Sequence, residues 1–249
     1  MRRDIYGGKD PRDLPAYTVT EASRYLDIAR TTVSQWVKGR GRGEARAPRS
    51  GRPLVQPAQL AKPTLLSFNN LVELHVLAAL RLDERIPMHV LREALDWVSR
   101  RLDVARPLLS NRFQKEKEGV RLFYQHIERL VNDVDGAEEI KEHLIDLTVD
   151  RGQVQLPDVL DAYLRRIERD TNGVPIRLFP VVLKDLENRP VAVDPRRSFG
   201  RPVVANTGVP TFALVERYQA GESVAVLAQE FRLDPEQVRF ALRYEREAA

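Results

Sequence analysis

The chain has no cysteine among its 249 residues. That removes disulfides, thiolate metal sites, zinc fingers and cysteine nucleophiles together. It also lacks any run of about 18 apolar residues free of charge, the length needed to span a bilayer. The first residues, MRRDIYGGKDPRDLPAYTVT, contain no apolar core of a secretory signal. These absences lead us to expect a soluble, cytoplasmic protein. The composition, 43% hydrophobic and 31% charged, is ordinary for globular domains. At roughly 150 residues per domain, more than one unit is expected.

Charge is informative by region. The whole chain carries +4, from 40 Lys+Arg against 36 Asp+Glu, yet residues 1–60 alone hold 12 basic and 6 acidic side chains. The excess peaks between Lys38 and Arg52, where Lys38, Arg40, Arg42, Arg46, Arg49 and Arg52 face a single anion, Glu44. A basic block confined to one small region points to a polyanionic partner. The same block contains Gly39, Gly41 and Gly43, but it lacks the G-x-x-x-x-G-K-[ST] spacing of a nucleotide-binding loop.

The chain reads as mainly α with small β elements. Residues 1–66 form a winged helix-turn-helix head, 67–197 a central helical and α+β region, and 198–249 a three-helix helix-turn-helix tail. A polar arm, residues 1–16, leads into two short helices over Thr18–Val37, the first capped by Thr20 and the second turning Val33, Trp36 and Val37 inward. The Gly- and Pro-rich stretch Lys38–Pro63 favours a hairpin or wing. The segment Ser67–Leu80 is apolar almost all round and reads as a buried helix, followed by a second with Leu91, Ala94, Leu95 and Val98 on one face. Two short strands are expected over Phe113–His126, an acidic helix over Ala137–Leu147, a helix over Leu156–Arg169, and strands near Ile176–Phe179 and Val191–Val193. In the tail, Gly221 stops a helix, Ser223 caps the next, and Asp234-Pro235-Glu236-Gln237 is a strong helix start.

The chemistry concentrates in Thr20–Trp36. Leu26, Ile28, Val33 and Trp36 fill a small core, which leaves Arg30, Thr31, Ser34, Gln35 and Lys38 on the outer face of the second helix. Such side chains read base edges and hold phosphates. The segment resembles the MerR/excisionase winged helix-turn-helix, E-A-x-x-x-L-x-[IV]-x-x-x-T-[LV]-x-x-[WY]. The resemblance places Arg40 and Arg42 in the wing. Two departures stand out: Ala29 occupies the usual Ser cap position, and Ser34 replaces a common Arg. In the tail, Gly200-Arg201-Pro202, Thr207-Gly208-Val209-Pro210 and Ala220-Gly221-Glu222-Ser223 resemble domain of unknown function 433, a module frequent in antitoxins paired with PIN-domain toxins.

Head, helix and tail in this order are similar to long VapB-type antitoxins. That resemblance implies a protein that binds and neutralises a PIN-domain (VapC-type) ribonuclease toxin and represses its own operon on double-stranded operator DNA. A stand-alone MerR-like regulator and an excisionase-type recombination factor are the alternatives. Small heads read few base pairs, so a homodimer is expected. PIN ribonucleases hold metal with carboxylates, so the resemblance also implies an arginine plug, and Arg239 and Arg243, four apart on the last helix, are the candidates. Neither metal nor cofactor is expected. The four histidines lack ligand spacing, with His75 placed as a satisfied core residue, and the carboxylates of 133–150 lack an EF-hand loop. No nucleophile motif is present, so the chain is not expected to be an enzyme.

Overall fold

The computed structural model describes residues 6–39, 52–83, 88–110, 123, 126–127, 158–181 and 189–247. Among them are eight α-helices and three small antiparallel strand pairs. The fold is mainly α with small β elements, as the sequence pattern implies.

Strand β1 (Tyr17–Thr18) leads directly into α1 (Val19–Leu26). The cap is Thr18 rather than Thr20. Its hydroxyl accepts the Glu21 amide at 3.1 Å, while the Glu21 carboxylate accepts the Thr18 amide at 2.8 Å. A reciprocal box needs an acid three residues after the cap, which Thr18 has and Thr20 does not. Helix α1 ends at Asp27 in the left-handed region, and α2 (Arg30–Lys38) follows after a short turn.

The chain returns at Leu54 and Val55 to form β2 (Leu65–Leu66), which pairs with β1 in the register Tyr17↔Leu66. Ser67 caps α3 (Phe68–Ala78), every residue of which is buried. A π-helical turn, Ala79–Asp83, prolongs it before α4 (Met88–Leu102). In α4, Leu91, Ala94, Leu95 and Val98 face inward as expected.

Asn70, Glu73 and His75, all buried on α3, are each engaged. Asn70 accepts the amides of Ser67 and Ala58, both at 3.0 Å, and donates to the Gln56 carbonyl at 2.8 Å. Glu73 takes a two-pronged contact from Arg106, with Nε to Oε1 at 2.9 Å and Nη2 to Oε2 at 2.5 Å. His75 is fully buried, and its Nε2 lies 3.0 Å from the Tyr163 carbonyl. Desolvation pushes its pKa down from 6.5 to about 3, so the ring is neutral and donates through Nε2. The histidine expected to be a satisfied core residue is one.

The N-terminal segment is not a loose arm where it is described. The Asn69 amide donates to the Arg12 carbonyl at 3.0 Å, and the Asn69 side chain donates to Asp13 at 2.8 Å. Asp13 also meets Arg106 at 3.2 Å, which ties the segment to the same network as Glu73.

Of the expected strands over 113–126, most residues lie outside the described ones, but Phe123 and His126 are helical. The acidic segment 133–150 lies outside them entirely. Helix α5 (Asp158–Leu164) is shorter than its apolar pattern suggests, because Ile167–Arg169 leaves as β3 to pair with β4 (Pro175–Leu178). The turn between them is fixed by Asp170, whose carboxylate accepts the Asn172 and Val174 amides at 2.9 Å each. Strand β5 (Val191–Ala192) pairs with β6 (Val203–Val204).

The tail helices are α6 (Thr211–Gln219), α7 (Val224–Phe231) and α8 (Pro235–Glu247). Ser223 accepts the Val226 amide at 3.3 Å. Asp234 accepts the Glu236 amide at 2.8 Å, and Gln237 accepts the Asp234 amide at 2.9 Å, the start the sequence announces.

One core runs from the head (Ala22, Val33, Trp36) through α3 and α4 to Leu160, Leu178 and Val193. The tail has its own core around Leu214, Leu227, Val238 and Ala241. Full burial of each such leucine or valine stabilises the fold by roughly 1.5–3 kcal/mol. Among the described residues, no helix is long and apolar enough to cross a membrane.

Candidate nucleic-acid interface

Helix α2 lies on α1 through Val33, Trp36 and Val37, all buried. Ala22, the small residue on α1, is itself fully buried. This packing fixes which side of α2 faces water. Arg30, Thr31, Gln35 and Lys38 are exposed, and Ser34 is half-buried at the edge of the same face. Among the described residues, no carboxylate forms an ion pair with Arg30 or Lys38. The helix begins at Ala29, which offers no side-chain acceptor, and its first turn carries no acid. That end of α2 is therefore positive and has free amide donors, the condition under which a helix start attracts phosphate.

The limb that returns from the basic block is clamped. The Trp36 carbonyl accepts the amides of Leu54 at 2.8 Å and Val55 at 3.2 Å. From α4, Arg92 donates to the Arg52 carbonyl at 2.5 Å, and partial burial lowers the Arg92 pKa. Arg40 and Arg42, expected in the wing, lie outside the described residues. Arg92 was not legible in sequence, since it sits among Leu91, Glu93 and Asp96 on an ordinary amphipathic helix.

The tail leans on the head. Tyr17 Oη donates to the Gly200 carbonyl at 2.9 Å, and Tyr244 Oη donates to the Tyr25 carbonyl at 3.2 Å. Burial raises the pKa of both phenols, which keeps them protonated as donors. The buried Glu245 accepts from Thr211 Oγ1 at 2.5 Å and lies 3.7 Å from Arg24. Gly200 has φ +78°, and a Cβ there would stand 2.2 Å from Tyr17 Oη, so only glycine lets the two approach.

On α8, Arg239 and Arg243 are both exposed. Arg239 pairs with Glu236, and Arg243 lies 5.8 Å from the centre of the Phe240 ring.

Known proteins bear on this arrangement. Residues 15–95 match a family described as "Putative DNA-binding HTH domain", which covers α1, α2 and the limb bonded to Trp36. Residues 191–244 match "Protein of unknown function (DUF433)", which covers β5 to α8. Over 237 residues the sequence is 30% identical to a Mycobacterium tuberculosis protein named "Putative antitoxin VapB45", covering 92% of this chain and 93% of that one. The chain belongs to the VapB45 antitoxin family. A crystal structure of Rv2018 from Mycobacterium tuberculosis superposes with a TM-score of 0.69 at 26% identity, covering 92% of this chain and 98% of that one. In this VapB45-family chain the head is a helix-turn-helix of DNA-binding type, and antitoxin and DNA-binding relatives point to a regulator rather than an enzyme. Among the described residues, no group of three His, Cys, Asp or Glu side chains could hold a metal ion.

Proposed function

We propose that the protein neutralises a PIN-domain ribonuclease and represses its own operon by binding operator DNA through the head. The observation that carries the DNA half is the face of α2. Arg30, Thr31, Gln35 and Lys38 stand in water on a helix whose opposite side is locked by Val33, Trp36 and Val37. Gln35 is the base-reading candidate, Lys38 and the wing cations Arg40 and Arg42 the phosphate contacts.

The toxin half is supported by family membership and by the disposition of Arg239 and Arg243. Their spacing puts both on one helix face. The exposed Arg239–Glu236 pair is worth at most about 1 kcal/mol, so a partner's carboxylates can recruit the guanidinium. An arginine fork suits carboxylates of a metal-binding cleft, and it keeps its charge when buried.

The test is co-purification of the full chain from its own cells. A small PIN-type ribonuclease is expected to come with it, in a complex that binds the promoter fragment. Arg239→Ala/Arg243→Ala protein is expected to lose the toxin while keeping the DNA. Recovery of the chain on its promoter with no ribonuclease would reduce the function to transcriptional regulation.

A further inference from the structure

The chain that leaves α2 returns to it along Arg52-Pro53-Leu54-Val55. One end of this limb is held by the Trp36 carbonyl, which accepts the amides of Leu54 and Val55. The other end is held by two different means. The Pro53 ring disfavours a helical backbone at Arg52. The Arg52 carbonyl accepts Arg92 Nη1 at 2.5 Å, across 40 residues of sequence.

A hydrogen bond between groups that both touch water adds little to folding, because water takes the place of a lost partner. Its effect here is local. It fixes a carbonyl, and so the direction in which the Arg52 side chain leaves the backbone. That side chain is exposed, and among the described residues no carboxylate lies within ion-pair distance of it. Arg52 stands two residues before Leu54, so its backbone is within about 7 Å of the anchor on Trp36. Lys38, the exposed cation of the last turn of α2, stands two residues after the same Trp36. The two cations therefore lie at one end of α2. Duplex DNA carries a negative charge about every 1.7 Å of its axis, so such neighbours find separate phosphates. Arg92 is the poorer phosphate ligand. It is half-buried, its Nη1 is occupied, and Asp96 one turn along α4 acts on its charge.

We propose that Arg52 grips a DNA phosphate beside the end of α2, and that Arg92 is the positioning residue that aims it. The proposal rests on the reading of the head as the DNA-binding part, and it extends the interface to α4.

The experiment measures binding of the full chain to its promoter fragment and to an unrelated duplex of equal length, over a series of salt concentrations. Arg52→Ala is expected to weaken both about eightfold at 0.1 M salt and to flatten the salt slope by roughly one unit, the counterion share of one phosphate. Arg92→Met removes the donors and is expected to reproduce most of both effects. Arg92→Lys still has a donor for the carbonyl and is expected to restore them. Arg52→Ala/Arg92→Met is expected to bind within about twofold of Arg52→Ala, because one residue acts through the other. Thermal unfolding of every variant is expected to match the parent. Losses that multiply in the double variant would make Arg92 a contact of its own, and an early-melting Arg92→Met would make it structural. Either result overturns the positioning role. Parent-like affinity and slope in Arg52→Ala would overturn the phosphate contact while leaving the DNA reading intact. A parent chain that binds neither duplex would remove the DNA reading, and this proposal with it.

Discussion

A neutral imidazole inside a core makes stability depend on pH in a definite direction. His75 is held at about 3 in the folded chain against 6.5 when exposed, so the unfolded chain binds the extra proton first. Stability from this site is complete above about pH 6.5 and drains away as pH falls from there toward 3. By pH 5 the loss amounts to roughly 2 kcal/mol. Urea midpoints of the parent and of His75→Gln, measured from pH 7.5 to 5, are the check. The variant is expected to be weaker at neutral pH but to slope less, and parallel slopes would remove His75 as the cause. Glu73 is the buried acid of α3, and its Arg106 clamp explains how a helix so thoroughly enclosed tolerates it.

At the scale of the element, α2 carries an evident defect. Helices α1, α3, α7 and α8 start on Thr18, Ser67, Ser223 and Asp234, whereas α2, like α6 at Pro210, has no side-chain acceptor and begins at Ala29 with φ −51° and ψ 131°. Ala29→Ser is expected to raise stability by about 1 kcal/mol, read as a higher denaturation midpoint. It is also expected to weaken binding to promoter DNA, because the new hydroxyl satisfies an amide otherwise free for a phosphate. Stabilisation without any change in DNA affinity would remove the helix start from the interface.

The same element shows what sequence does and does not disclose. The inward trio Val33, Trp36 and Val37 and the outward Arg30, Thr31, Gln35 and Lys38 follow from helical spacing alone, as do the buried α3 and the caps at Ser223 and Asp234. Contacts across large separations do not follow. Neither Tyr244 to Tyr25, nor Tyr17 to Gly200, nor Arg92 to Arg52 leaves any periodic trace. The strand Ile167–Arg169 was hidden for a different reason. Its apolar spacing continues that of α5, and only the tertiary pairing with Pro175–Leu178 decides against the helix.

At the scale of the whole molecule, α3 is covered on all sides within one protomer, and the exposed residues of α4 are polar ones such as His89, Glu93, Asp96 and Arg100. Among the described residues, neither helix carries an exposed large apolar side chain for a dimer to bury. The tail still offers Tyr218 and Val226, each 48% exposed. We expect a homodimer through that face, which places two heads on a pseudo-palindromic site. Light scattering at micromolar concentration is expected to give twice the 28.5 kDa chain mass, and Tyr218→Glu/Val226→Glu to give the monomer. Affinity for promoter DNA is expected to fall steeply with salt, Arg40→Ala/Arg42→Ala flattening the slope by roughly two units. Gln35→Ala is expected instead to alter which sequences bind, and a slope unmoved by the arginine changes would take the wing off the phosphates.

The enclosure of α3 also bears on how such a protein can change over evolutionary time. The basic stretch after α2 has its return anchored where Leu54 and Val55 bond to the Trp36 carbonyl, so substitutions between Arg40 and Gly51 can change preference for bases while that anchor stays in place. The head as a whole has no such liberty. Its core is continuous with α3, and its first helix is bonded to the last. A recombination event that exchanged residues 1–66 between relatives would therefore import side chains fitted to a foreign α3 and a foreign Tyr244. New DNA targets should thus arise by point substitution on α2 and by drift in the wing, while heads and tails descend together as one inherited unit.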